Sequence, residues 1–161
     1  CRAMALPEIG DEDRFLSYLP LYHTFGRWFE MTGTLFWGAQ YIFMENPALP
    51  TMLDNMQRAQ PTVFISIPKK WIQLYEYVSS RVNVLTDHDA AIRKILHKAT
   101  GGKLRWGLSA AGYLEADIFR FFRRYGITLM SGFGMTEATG GITMTDEDLY
   151  VDNSLGRPLP G

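Results

Sequence analysis

Cysteine is almost missing from this chain: Cys1 is the only one in 161 residues. An internal disulfide is thereby excluded, as is any metal site of the CxxC or CxxH type, and a reducing, cytoplasmic compartment is the default. An excess of charge is missing too, with 16 Lys and Arg set against 17 Asp and Glu. There is then no basic field to attract nucleic acid and no acidic one for cationic partners. Long apolar runs are also absent. The longest, Leu35 to Met44, is broken by Gly38 and Gln40 and is about half the length of a membrane span. No transmembrane segment is expected, while peripheral membrane contact stays open. Repeats and low-complexity segments are lacking.

What is present is the composition of a soluble globular domain, 47% hydrophobic and 20% charged, long enough for a real core. Phe15 to Leu19 reads as a short buried strand that stops at Pro20. A helix-like stretch follows from Arg27 to Phe36, then a second strand at Tyr41–Met44. Thr51 to Ala59 is a short helix with Met52, Leu53 and Met56 on one side. Thr62–Ser66 is apolar enough for a strand covered on both faces. Pro68 suits the first position of a helix whose inward side carries Trp71, Leu74, Tyr75, Val78 and Val82. Thr86 or Asp87 is expected to cap the next helix, with Ile92, Ile95, Leu96 and Ala99 inward and Gly101–Gly102 at its end. Leu104–Leu108 is a fourth strand. Leu114, Ile118, Phe121, Phe122 and Tyr125 stripe another helix closed by Gly126, and Ile127–Met130 is a fifth strand.

Strand and helix alternate, which predicts an α/β fold with a mainly parallel sheet flanked by helices. In such sheets ligands bind beyond the carboxyl ends of the strands. Three unusual loops are expected at that edge: Pro20–Gly26, Ser109–Tyr113 and Ser131–Gly141. The last combines four glycines with Thr136 and Glu137, residue types able to hold a phosphate and its metal ion. Alone, such a segment is more often a plain turn. Ser109-Ala110-Ala111-Gly112 reads as a tight turn, or as small side chains that leave room for a flat ring, with Phe133 offering an aromatic face for stacking. His23, between Tyr22 and Phe25, reads as a structural residue or a catalytic one. His88 and His97 have no companions. Arg120, Arg123 and Arg124 fit a solvated helix face.

Five segments in order resemble those of the adenylate-forming (AMP-binding) superfamily of acyl-CoA synthetases, luciferases and adenylation domains. They are Leu19–Gly26, Pro61–Pro68, Gly107–Gly112, Gly132–Glu137 and Ser154–Gly161. The resemblance implies the acyl-CoA synthetase N-terminal fold, with ATP, Mg2+ and CoA as cofactors. It implies catalytic roles for Thr136 (ATP phosphate), Glu137 (metal) and His23 (acyl side of the site). Nucleotide contacts fall to Ser109, Ala110, Ala111, Gly112, Gly132, Phe133, Gly134, Met135 and Thr136, and the acid pocket to His23, Phe25, Ala138, Thr139 and Gly140. Phe133 stands where the family usually has tyrosine; the stacking face is kept and the hydroxyl lost. Ser109, Ala110 and Ala111 replace part of the usual Gly-Gly-Ala-Pro, and Tyr113 stands at its proline.

Pro61–Trp71 and the insert from Val82 to Lys103 are similar to the long-chain fatty acyl-CoA synthetase branch. The expected activity of the full-length protein is therefore activation of a carboxylic, fatty acid to acyl-AMP and its transfer to CoA. Adenylation of an aryl or amino acid, or a non-catalytic nucleotide-binding module, are the alternatives. The family's phosphate loop normally precedes the Leu-Pro-Leu-x-His segment, and a small C-terminal domain carries a catalytic lysine. Neither is recognisable here, so residues 1–161 are expected to be the central part of the N-terminal domain, with no turnover and at most weak nucleotide binding by themselves.

Overall fold

The computed structural model describes residues 8–138 and 140–160. Its strands are β1 (Arg14–Ser17), β2 (Gln40–Phe43), β3 (Val63–Ser66), β4 (Trp106–Ser109), β5 (Thr128–Met135), β6 (Gly140–Met144) and β7 (Arg157–Pro158). A π-wound segment, Phe25–Met31, runs directly into α1 (Thr32–Trp37). The other helices are α2 (Leu49–Ala59), α3 (Pro68–Ser79), α4 (Asp89–Thr100) and α5 (Ala116–Arg124). The seven strands form one sheet in the order β2-β1-β3-β4-β5-β6-β7. From β2 to β5 every pairing is parallel, and β6 and β7 add on antiparallel. The mainly parallel α/β fold expected from the alternation is the one observed.

β2 pairs on one side of β1 and β3 on the other, so the chain reverses its winding direction there. With right-handed crossovers, a reversal moves the connecting helices to the opposite face. Accordingly the π-wound segment and α1 pack on one face, against Phe15, Val63, Ile65, Trp106, Leu108 and Met130. Helices α2 to α5 cover the other, over Leu16, Phe64 and Leu129. Period-two alternation along each strand explains the division. On the larger face Trp71 is fully buried, edge-on to Phe64 and Phe122 at 5.4 and 5.1 Å, and its indole N–H donates to the Leu108 carbonyl at 3.2 Å.

The amino ends of β1, β3 and β4 are tied by Asp13. Its carboxylate accepts from the Thr62 hydroxyl at 2.6 Å, the Gly10 amide at 3.0 Å and Arg105 at 2.8 Å. Burial alone would push this carboxyl up, but the bonds from Arg105, Thr62 and Gly10 outweigh it and hold it below the ordinary Asp value. A carboxylate lowered in the native state adds stability above its unfolded pKa that is lost as pH falls through the native one. Asp13→Ala is expected to cost about 1–3 kcal/mol and to flatten the acid limb of stability, both measurable by urea denaturation between pH 3 and 7.

One cap differs from expectation. His88, not Thr86 or Asp87, precedes α4, and no side chain caps it. The Asp87 carboxylate accepts instead from the Asn83 amide at 2.7 Å, closing the preceding turn. β5 also runs five residues beyond the expected Met130, because the glycines of Ser131–Met135 are extended backbone and not loop.

Candidate functional site

The site is built where the π-wound segment meets the β5–β6 hairpin, beyond the carboxyl ends of β1 and β4. After β1 the chain turns at Pro20, where the His23 amide donates to the Pro20 carbonyl at 3.1 Å. The His23 ring then bends back, its Nδ1 accepting from the Phe25 amide at 3.2 Å. An imidazole that accepts at Nδ1 carries its proton on Nε2, so His23 presents an N–H outward from an exposed position. The winding that follows turns Phe25 and Phe29 to the same side, ring centroids 5.7 Å apart. Widened π turns recur at functional sites because they re-aim side chains that a regular helix would spread.

The facing wall comes from β5. It pairs with β4 as far as Ser109↔Ser131, then leaves it and pairs antiparallel with β6 from Gly132↔Met144 onward. A bulge between Phe133 and Gly134 re-aims the strand at this point. A Cβ on Gly134 would stand 2.5 Å from the Gly140 carbonyl oxygen, so only glycine lets the two strands close here. A single 3-10 turn, Thr136–Ala138, caps the hairpin. The glycine-rich segment is thus a strand, a tight turn and a returning strand. Phe133 lies on the strand with 46% of its surface exposed, available for stacking.

These elements enclose a cavity of about 200 Å³. Of the residues singled out in the sequence, His23, Phe25, Ala110, Ala111, Gly132, Phe133, Gly134, Met135, Thr136 and Gly140 line it. Ala111 holds a left-handed backbone, φ 64°, a conformation costly for a residue with a side chain and found most often at functional sites. Ser109 and Gly112 do not join the wall. Strand alternation sends Leu108 and Ala110 to the cavity and Ser109 to the opposite face, where it is buried. Gly112 lies against Pro68. Glu137 and Ala138 lie beside the cavity in the turn and outside its wall, and Thr139 lies outside the described residues. Thr24 and Gly141, from the two loops expected at this edge, join it, and Phe29, Leu108, Thr143, Met144 and Leu159, none of them singled out in the sequence, complete the lining. Phe29 follows Phe25 at one-turn spacing, a signal that was there to use. Leu159 reaches the cavity only because β7 pairs with β6, which no local pattern announces.

The walls carry no Lys or Arg among the described residues. No group of three His, Cys, Asp or Glu side chains able to hold a metal occurs among them either. Glu137, exposed next to Thr136, is a single carboxylate. That fits magnesium, which is ordinarily held by one or two carboxylates, with phosphate oxygens and water taking the remaining positions. No described helix is long and apolar enough to cross a membrane.

A family model described as AMP-binding enzyme matches residues 1–161. Human long-chain-fatty-acid–CoA ligase 1 is 25% identical over 175 residues, covering 92% of this chain and 25% of that protein. The peroxisomal long chain acyl-CoA synthetase 7 of Arabidopsis thaliana is 25% identical over 180 residues, covering 95% of this chain and 25% of that one. The apo structure of MatB from Rhodopseudomonas palustris superposes with a TM-score of 0.72 at 28% identity, over 95% of this chain and 27% of its own. The chain therefore spans about a quarter of the length of the curated relatives it matches.

Proposed function

This chain belongs to the AMP-binding enzyme family, and from that premise we propose that the full-length protein joins a fatty acid to CoA through an acyl-AMP. The observation that carries the reading is the convergence of His23, Phe133, Thr136 and the Ala110–Ala111 turn on one cavity beyond the ends of parallel strands. In the first half-reaction a carboxylate oxygen of the acid attacks the α-phosphorus of ATP, and the bond from that phosphorus to pyrophosphate breaks. In the second, the sulfur of CoA attacks the acyl carbon and AMP leaves. The Phe133 ring offers the adenine a stacking face. The Thr136 hydroxyl donates to a phosphate oxygen, and Nε2–H of His23 donates to the acid's carboxylate as it approaches. A magnesium ion held by Glu137 would supply neutralisation of the phosphate charge. Positioning and charge stabilisation carry most of such a transfer.

The lining favours an apolar acid. Phe25, Phe29, Leu108, Met144 and Leu159 face the cavity without a cation among them. Buried methylenes contribute about 0.8 kcal/mol each, whereas a second carboxylate buried there unpaired would cost several kcal/mol. The names of the long-chain relatives support the same choice. A panel of fatty acids, aryl acids, amino acids and malonate in a pyrophosphate-release assay on the full-length protein tests it. Fatty acids are expected to exceed malonate in kcat/KM by about a hundredfold or more. A preference for malonate, or no release with any acid, would overturn the reading.

A further inference from the structure

Behind the wall formed by Phe25 and Phe29 stands a carboxyl that the chemistry above leaves unused. Glu30, on the same π-wound segment, is completely buried. Its Oε2 accepts a short hydrogen bond from the Ser17 hydroxyl of β1 and faces the Tyr41 hydroxyl of β2 at 3.4 Å. Tyr41 lies 3.1 Å from Ser17 Oγ as well, and that oxygen accepts from the Leu19 amide at 3.3 Å. Leu19 and Pro20 are also the residues whose carbonyls Gly26 packs against, so closely that a Cβ there would meet them at 2.6–2.9 Å. One polar cluster therefore ties both ends of the segment that presents His23, Phe25 and Phe29.

We propose that Glu30 is the positioning residue of the acid pocket: through Ser17 and Tyr41 its buried carboxyl seats the π-wound segment on β1 and β2, and so sets where Phe25 and Phe29 stand against the acid's tail. The alternative of a plain packing position is disfavoured by the chemistry. A leucine would fill the space without desolvating a carboxyl, yet a carboxyl stands here with Oε1 lacking any hydrogen-bond partner among the described residues. The titratable group facing Glu30 is Tyr41 from β2, with Tyr18 on β1's continuation interacting only electrostatically, and Ser17 is its hydroxyl donor; no Lys, Arg or His pairs with it among the described residues. Burial pushes Glu30 up to about 8 and Tyr41 up to about 12. Seated, the group stays a neutral acid up to about pH 8, whereas in water it ionises at the ordinary Glu value of 4.5, so the seat weakens as pH rises between the two and changes no further above.

The role rests on reading the cavity as the acid site, and two measurements on the full-length protein separate the two ideas. Amide hydrogen exchange over Phe25–Met31, corrected for intrinsic rate, is expected to lose protection in the wild type as pH rises from the ordinary Glu value of 4.5 to about 8, and to level off above that. Glu30→Gln, a neutral isostere that keeps the acceptor for Ser17, is expected to remove that dependence. In acid-dependent pyrophosphate release, Glu30→Gln is expected to keep KM for the acid within about twofold of wild type at neutral pH, whereas Glu30→Leu raises it about fivefold or more with KM for ATP unchanged. The proposal is overturned if Glu30→Gln retains the wild-type exchange profile. It is equally overturned if Glu30→Leu leaves KM for the acid unchanged or raises both KM values alike. Should Glu30→Leu fail to fold, the exchange comparison decides alone. Should the wild type activate no acid, the functional reading falls while exchange still judges the seat.

Discussion

Replacing Glu137 by glutamine in the full-length protein is expected to lower acid-dependent pyrophosphate exchange by about a hundredfold or more. Glutamine keeps the length and one acceptor oxygen and removes only the charge. Glu137 sits in the single turn that caps the β5–β6 hairpin, exposed and next to Thr136. No cluster of further metal-ligating side chains stands among the described residues to take its place. Where one carboxylate does the holding, its loss falls directly on metal affinity. Raising magnesium should therefore restore part of the rate, a response that a merely structural loss would not show. Thr136→Ala is the milder companion. A hydrogen bond to a charged partner contributes about 1.5–3 kcal/mol, which converts to a ten- to hundredfold slowing. Wild-type exchange in the Glu137→Gln protein would sink the assignment of the metal to that turn.

The largest expected effect on stability lies at Gly156. This glycine follows the Ser154 turn, whose hydroxyl accepts the Gly156 amide at 3.0 Å. Its φ is 83°, and a Cβ would overlap the backbone of Met144 and Thr145. A left-handed backbone is costly for any residue with a Cβ, and here the obstacle is main chain that cannot swing aside. Gly156→Ala is expected to cost about 4 kcal/mol or more, at the upper end for single substitutions, measured by urea denaturation of the full-length protein. The functional consequence follows from register. β7 pairs Thr143↔Pro158 and Met144↔Arg157, and the Leu159 amide donates to the Ile142 carbonyl at 2.9 Å. Unseating β7 withdraws Leu159 from the cavity, so KM for the acid should rise in whatever fraction of the protein stays folded. A variant with wild-type stability would show that β7 does not close against β6 as described.

Why some of the site was readable and some not comes down to the range over which each signal acts. Thr136, Phe133 and the glycines around them are specified by local requirements: close backbone approach, a tight turn, a flat aromatic face. These are visible in a string of ten residues. Ser109 was placed with its neighbours because small residues cluster there, yet its direction depends on where β4 begins. The strand starts at Trp106, and that register turns Leu108 and Ala110 to the cavity and Ser109 away. Asp87 had the chemistry of a cap and was claimed by Asn83 instead, a competition between two local bonds that propensity does not rank.

The sequence by itself determined the alternation of strand and helix, the parallel sheet that alternation requires, and a glycine-rich segment carrying Thr136 and Glu137 after the last parallel strand; that this segment is a β5–β6 hairpin came from the structure. Periodicity and glycine placement act within one element and need no partner to be read. Only the tertiary structure decided that the winding reverses at β1, which puts His23, Phe25 and Phe29 on the opposite face from α2–α5 and across from Phe133. It alone brought Leu159 into the same wall and buried Glu30 against Ser17 and Tyr41. Those contacts join residues far apart along the chain, and their energy comes from burial and hydrogen bonding that exist only once the sheet has assembled.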